Sequence, residues 1–236
     1  MACLCLMAVA LTSCIDGTEE FWLDERGAGA IEITYDIPTS ALNIWGGEPK
    51  IREALDEWLN GSLDVRCEKL EAHAEGERTH LHVHIAFDSV TKFIELSKSG
   101  KSRSGGAFFE NFTGLFDVKV KGRQIDFTRT VSPNKALAGG LFIPRKEIEG
   151  RRLKYIVHLP VVPVKSNATQ IQDGGRTLIW DYSLSEGLKK PIVTHLVANV
   201  PIPKWAIVCA GLIGTLACYG LYRITRRLVR HRRDPG

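Results

Sequence analysis

The sequence lacks a disulfide framework. Of its six cysteines, Cys3 and Cys5 lie in an apolar N-terminal stretch that Cys14 closes, and Cys209 and Cys218 lie in an uncharged run near the other end. Only Cys67 stands in the body between them. One thiol makes no internal bridge, so the body must be held by its core alone, with Cys67 expected as a small buried apolar residue. Gly-x-Ser-x-Gly and His-Glu-x-x-His are also absent, which removes the commonest nucleophile elbow and zinc-protease signatures. Gly100-Lys101-Ser102 ends like a phosphate loop, but the first glycine would fall at Glu95 and no apolar strand leads into it. The body has no charge excess either. The formal net charge is +4, yet the tail from Arg223 holds six arginines against Asp234, and without it the chain is close to neutral. A neutral body argues against a nucleic-acid-binding domain.

The high positive charge of the tail follows Trp205 to Tyr222, a run of 18 residues with no charged side chain. As a helix it would reach about 27 Å, close to the hydrocarbon thickness of a bilayer. The run predicts one transmembrane helix over 205–222, with Trp205 and Tyr222 at the interfaces and Arg223, Arg226, Arg227 and Arg230 behind them. The arginine-rich flank, 223–236, is then cytoplasmic and the preceding chain extracytoplasmic. The competing reading is a buried helix followed by a nucleic-acid arm; interfacial Trp205, Tyr219 and Tyr222 oppose it. Ala206, Ala210, Gly214 and Cys218 recur every four residues, a face on which a second copy could pack. At the other end, residues 1–13 have the pattern of a signal peptide, and Pro201-Ile202-Pro203 opens a stiff spacer, 201–204.

Residues 14–200 then form the outer domain. Phe21 and Leu23, the turn Asp24 to Gly27, and Ile31, Ile33, Tyr35 and Ile37 alternate as a hairpin. Leu63, Val65 and Cys67 with Leu81, Val83, Ile85 and Phe87 predict a second, and Phe116 to Val120 with Ile125 and Phe127 a third. Further strands are expected at Leu153 to Leu159, Leu178 to Trp180 and Ile192 to Val200. Ile51, Ala54, Leu55, Trp58 and Leu59 fall at helical spacing, as do Val90, Phe93 and Ile94 after a capping Asp88 or Ser89. The expected fold class is α+β: antiparallel sheets with two amphipathic helices, plus the C-terminal transmembrane helix.

Leu11-Thr12-Ser13-Cys14 resembles the lipobox of bacterial lipoproteins. That resemblance implies cleavage before Cys14, lipidation of its thiol and a place at a bacterial inner membrane; the alternative is an incidental cysteine in an apolar segment. The order of this cysteine, Trp22-Leu-Asp-Glu-Arg-Gly through Pro38, Phe87-Asp-Ser-Val90, Tyr155-Ile-Val-His-Leu-Pro160, Ser166-Asn167 and Thr177-Leu-Ile-Trp180 resembles the LppM-like envelope lipoproteins of bacteria. The resemblance covers most of the chain and implies an ectodomain that handles lipids or glycolipids, with no catalytic residues and no cofactor to carry over.

The most suggestive polar side chains are His80, His82 and His84, which share one face of a strand. A His-x-His pair on a strand can bind zinc, and a third imidazole is at hand; a solvated strand face explains the same pattern. Two functions follow. One is a non-catalytic envelope module that binds a lipid, an envelope polymer or a membrane partner at the bilayer. The other is a metal-dependent envelope hydrolase using the histidine strand. An apolar groove would favour the first and converging imidazoles the second. Asn60, Asn111 and Asn167 each open a glycosylation pattern, which would matter only in a eukaryotic secretory route.

Overall fold

The computed structural model describes residues 16–44, 46–59, 62–99, 114–136 and 148–199. β1 (Asp16–Leu23) and β2 (Gly29–Pro38) form an antiparallel hairpin. Its turn is held by Asp24, whose Oδ1 accepts from the backbone amides of Arg26 (2.8 Å) and Ala28 (2.9 Å). Period two then buries Ile33, Tyr35 and Ile37 and turns the residues between them outward. A short helix α1 (Thr39–Ile44) leads to α2 (Gly47–Leu59), which buries Ile51, Ala54, Leu55 and Trp58 and lies against β3 (Val65–Glu75). β3 pairs with β4 (Arg78–Phe87) through a register shift between Cys67 and Lys69, and β4 pairs on its other side with β2. Cys67 is half-buried at that bulge, and burial pushes its thiol pKa up, as expected of an unreactive cysteine.

The remaining elements are α3 (Val90–Ser99), β5 (Leu115–Lys121), β6 (Gln124–Val131), α4 (Pro133–Ala136), β7 (Arg152–His158), β8 (Lys165–Ser166), β9 (Gln170–Gln172), β10 (Thr177–Ser183), α5 (Leu184–Lys189) and β11 (Ile192–Asn199). They complete two sheets, of order β3-β4-β2-β1-β7-β10-β9 and β5-β6-β11-β8. Inward residues of both sheets, among them Ile33, Tyr155, Trp180, Val131 and Leu196, belong to one hydrophobic cluster. Phe93 of α3 joins it through the rings of Phe21, Trp58, Phe87 and Phe116, at centroid distances of 6.3, 6.0, 5.3 and 6.1 Å.

This architecture corrects the expected fold class. Among the described residues eleven strands form two sheets, so this part of the chain is predominantly β rather than α+β. The apolar stripes at Ile51 to Trp58 and Val90 to Ile94 lie on helices of only 13 and 10 residues, which cover parts of a core built by strands. Nor is the larger sheet wholly antiparallel. β1 lies inside it and pairs in parallel with β7, from Gly17 opposite Leu153 to Trp22 opposite His158. No hairpin signal encodes that pairing, because it joins strands far apart in the chain. Among the described residues no helix is long and apolar enough to cross a membrane. The run 205–222 with Trp205 and Tyr222, the arginines Arg223, Arg226, Arg227 and Arg230, the spacer 201–204 and Cys14 all lie outside the described residues.

Candidate functional site

Where the two sheets face each other they do not close completely. A cavity of about 150 Å³ lies between them, lined almost entirely by apolar side chains. Strand register orders its walls in levels. Glu19, Ile33 and Tyr155 stand at one level of the larger sheet, and Arg129 and Thr194 at one level of the smaller. Two residues along come Phe21, Ile31 and Val157, faced by Phe127 and Leu196; beyond them come Leu23, Leu159, Ile125 and Ala198, with Val90 and Ile94 of α3. On β1 the lining runs from Glu19 to Leu23, about 13 Å of strand. An apolar cavity of this kind stays dry when empty and accepts an apolar guest.

One end of this cavity is charged. Glu19 and Arg129 both point into the interior, with side chains only 7% and 11% exposed, and Arg129 Nη2 donates to Glu19 Oε2 at 2.5 Å. The Tyr35 hydroxyl donates to the other oxygen, Oε1. It reaches there because β1 has glycine opposite Tyr35: a methyl group at Gly17 would lie 2.2 Å from the Tyr35 ring. The guanidinium is 4.8 Å from the ring centre of Tyr155 and 5.5 Å from that of Phe116. Burial alone would lower the pKa of Arg129, but the Glu19 carboxylate and the Tyr155 and Tyr35 hydroxyls outweigh it and hold the pKa above the usual guanidinium value.

Both phenols are pushed up from the ordinary value of 10.0, first by burial and then by the negative charge of Glu19. The folded protein therefore keeps protons that the unfolded chain releases. Stability from these groups is complete below about pH 10 and falls as pH rises above it. In an alkaline titration, Tyr35 and Tyr155 are expected to ionise only together with loss of the near-ultraviolet circular dichroism. Phenolate absorbance that reached its full amplitude in the still folded protein would contradict their burial.

The histidines take a different arrangement from a metal site. His80, His82 and His84 share the outer face of β4, but each is turned to its own carboxylate. His82 Nε2 lies 2.9 Å from Glu32, His84 3.5 Å from Glu68, and His80 3.6 Å from Asp36 and 3.5 Å from Glu75. Among the described residues no group of three or more His, Cys, Asp or Glu side chains could hold a metal ion.

A second outer cluster joins three strands. Trp22 stacks on His158 at 5.3 Å, His158 Nε2 lies 2.5 Å from Glu20 Oε1, and Nδ1 lies 3.0 Å from Thr177 Oγ1. Hydroxyl, imidazole and carboxylate in a row is the connectivity of a nucleophilic triad. Thr177, however, is buried, and its hydroxyl donates to Asp173 at 2.5 Å. The proton a general base would need is already committed, so the cluster ties β1, β7 and β10 together rather than supplying a nucleophile. Asn167 is committed in the same way: its amide nitrogen donates to the carbonyl of Val193 at 2.9 Å, and Thr169 Oγ1 donates to that of Ile179 at 2.9 Å. Asn60 and Asn111 lie outside the described residues.

No protein-family model matches the chain, and no curated protein matches it. Among solved structures, it is similar to the folded domain of Mycobacterium tuberculosis LppM, determined by NMR. The TM-score is 0.47 and the identity 10%, over 80% of this chain and 91% of that one. This is a weak resemblance of fold alone.

Proposed function

We propose that residues 16–199 form a non-catalytic binding domain whose cavity between the sheets takes an apolar chain of a lipid, in a protein of the bacterial envelope that works outside the inner membrane. The observation that carries this reading is the cavity itself: walls of Phe21, Ile31, Val157, Phe127 and Leu196, with polar groups gathered at one end. An apolar pocket with a few convergent polar groups is the ordinary form of a small-ligand site. On the outer faces, His80, His82 and His84 are each turned to a carboxylate, and the Thr177 hydroxyl is spoken for. The envelope location draws on sequence features at the two ends of the chain, the apolar stretch closing on Cys14 and the arginines from Arg223 onward.

The test uses the full chain, recovered from the envelope fraction of the producing cell, and an environment-sensitive naphthylamine dye. Dye fluorescence is expected to rise on binding and to fall when a long-chain alcohol competes. Ala198 is the smallest inward residue of β11 in the cavity wall, so Ala198→Phe fills the space with a ring. That variant is expected to lose at least about tenfold in dye affinity, since its ring competes for the same volume, while unfolding at or above the wild-type temperature. Unchanged dye binding in Ala198→Phe, or a chain found wholly in the soluble fraction, would overturn the reading.

A further inference from the structure

The charged end of the cavity selects among apolar chains. An arginine alone at the end of an apolar pocket is a carboxylate receptor, because its planar fork of donors fits two oxygens. In this chain Glu19 already occupies that position, 2.5 Å from Arg129 Nη2 and fastened from the other side by the Tyr35 hydroxyl. The pair lies at one extremity of the pocket, since the next inward residues beyond it, Gly17 and Tyr35 on one sheet and Val131 and Ile192 on the other, are not part of the lining.

We infer that the pocket takes an uncharged alkyl chain with its methyl end against the Glu19–Arg129 pair, excludes a chain that brings a carboxylate there, and owes this selection to Glu19. The inference rests on the lipid-chain reading above and names its ligand class: a chain whose inner end is an uncharged methyl and whose head group stays at the Leu23, Ile125 and Ala198 end. The internal pair is neutral as a unit. A ligand carboxylate beside it would put a second negative charge next to Glu19, out of water and with one guanidinium between two anions. A methyl end brings no charge and requires no hydrogen-bond partner, so it leaves the pair undisturbed.

The experiment measures displacement of the naphthylamine dye from the full chain by decanoate, which can turn its methyl end to the pair, and by decanedioate, which brings a carboxylate there from either end, at neutral pH. Wild type is expected to bind decanoate at least about tenfold more tightly than decanedioate, the scale of one uncompensated charge in a partly desolvated site. Glu19→Gln keeps the shape and an oxygen for the Tyr35 hydroxyl but removes the negative charge beside Arg129. It is expected to shift the preference by at least about tenfold toward decanedioate. Equal affinity of wild type for the two ligands overturns the inference, as does an unaltered ratio in a folded Glu19→Gln. Failure of both ligands to displace dye from wild type overturns the lipid-chain reading itself, and the inference with it. Because Glu19→Gln leaves a buried charge and can fail to fold, wild type gives a second measurement. Lowering the pH into the range where the carboxylates take up protons should raise the affinity of decanedioate toward that of decanoate; an unchanged ratio there also overturns the inference.

Discussion

Arg129→Met is expected to lower the unfolding free energy by about 3–5 kcal/mol, a large share of the roughly 5–15 kcal/mol that holds a typical domain. The loss comes less from the missing attraction than from what stays behind. The Glu19 side chain is 7% exposed, and without Arg129 its carboxylate keeps, among the described residues, the Tyr35 hydroxyl as its donor, in a surrounding of Phe, Ile and Trp side chains. Removing all three polar partners separates the two contributions. The triple variant Glu19→Leu, Arg129→Met, Tyr35→Phe leaves no buried charge and no orphaned hydroxyl, and is expected to regain most of the loss, because apolar replacement of a buried pair is often neutral or better. Urea unfolding of the four proteins, the two variants with Glu19→Leu alone and wild type, measures this. A cost for Arg129→Met within about 0.5 kcal/mol, the range of an ordinary surface change, would mean that the pair is solvated.

Much of this could be read from the sequence, and the part that could not has a physical cause. Strand positions follow from period-two alternation, which is strong where one face is buried: Ile31 to Ile37 and Leu81 to Phe87 fall on β2 and β4. A stripe such as Ile51, Ala54, Leu55 and Trp58 reports that a helix exists, not how much of the core it builds, so the sequence overstates the helical share of the fold. Pairing between distant strands leaves no local mark, so the parallel partnership of β1 with β7 was invisible, and with it the cavity that the two sheets enclose. The ion pair did leave a trace. Glu19 falls in phase with Gly17, Phe21 and Leu23, and Arg129 with Ile125, Phe127 and Val131. A charge on the inward phase of an apolar strand needs a partner of opposite charge inside, and here each is the other's. The shared face of His80, His82 and His84 is legible in the sequence, but their separate carboxylate partners depend on β2 and β3.

Trp180→Ala is expected to cost about 3–5 kcal/mol, the usual penalty for emptying the place of a large buried aromatic. Trp180 is 1% exposed and belongs to the larger sheet, yet its indole nitrogen donates to Asn167 Oδ1 at 2.7 Å. The same oxygen accepts from the backbone amide of His195 on β11 at 2.7 Å, while the Asn167 side-chain nitrogen donates to Val193. One asparagine side chain thus acts as a short extra strand against the smaller sheet and presents an acceptor to the larger one. Asn167→Ala exposes the weight of that link: the His195 and Val193 groups can turn to water, but the indole N–H is left buried without its acceptor, for about 1–3 kcal/mol. Trp180→Phe removes the donor and keeps most of the apolar bulk, so in that background the same asparagine change should cost less, by about 1 kcal/mol. Urea unfolding of the single and double variants gives the coupling directly. Strict additivity would mean that the indole–asparagine bond adds nothing to the joining of the two sheets, and a cost below about 1 kcal/mol for Trp180→Ala would remove Trp180 from the core.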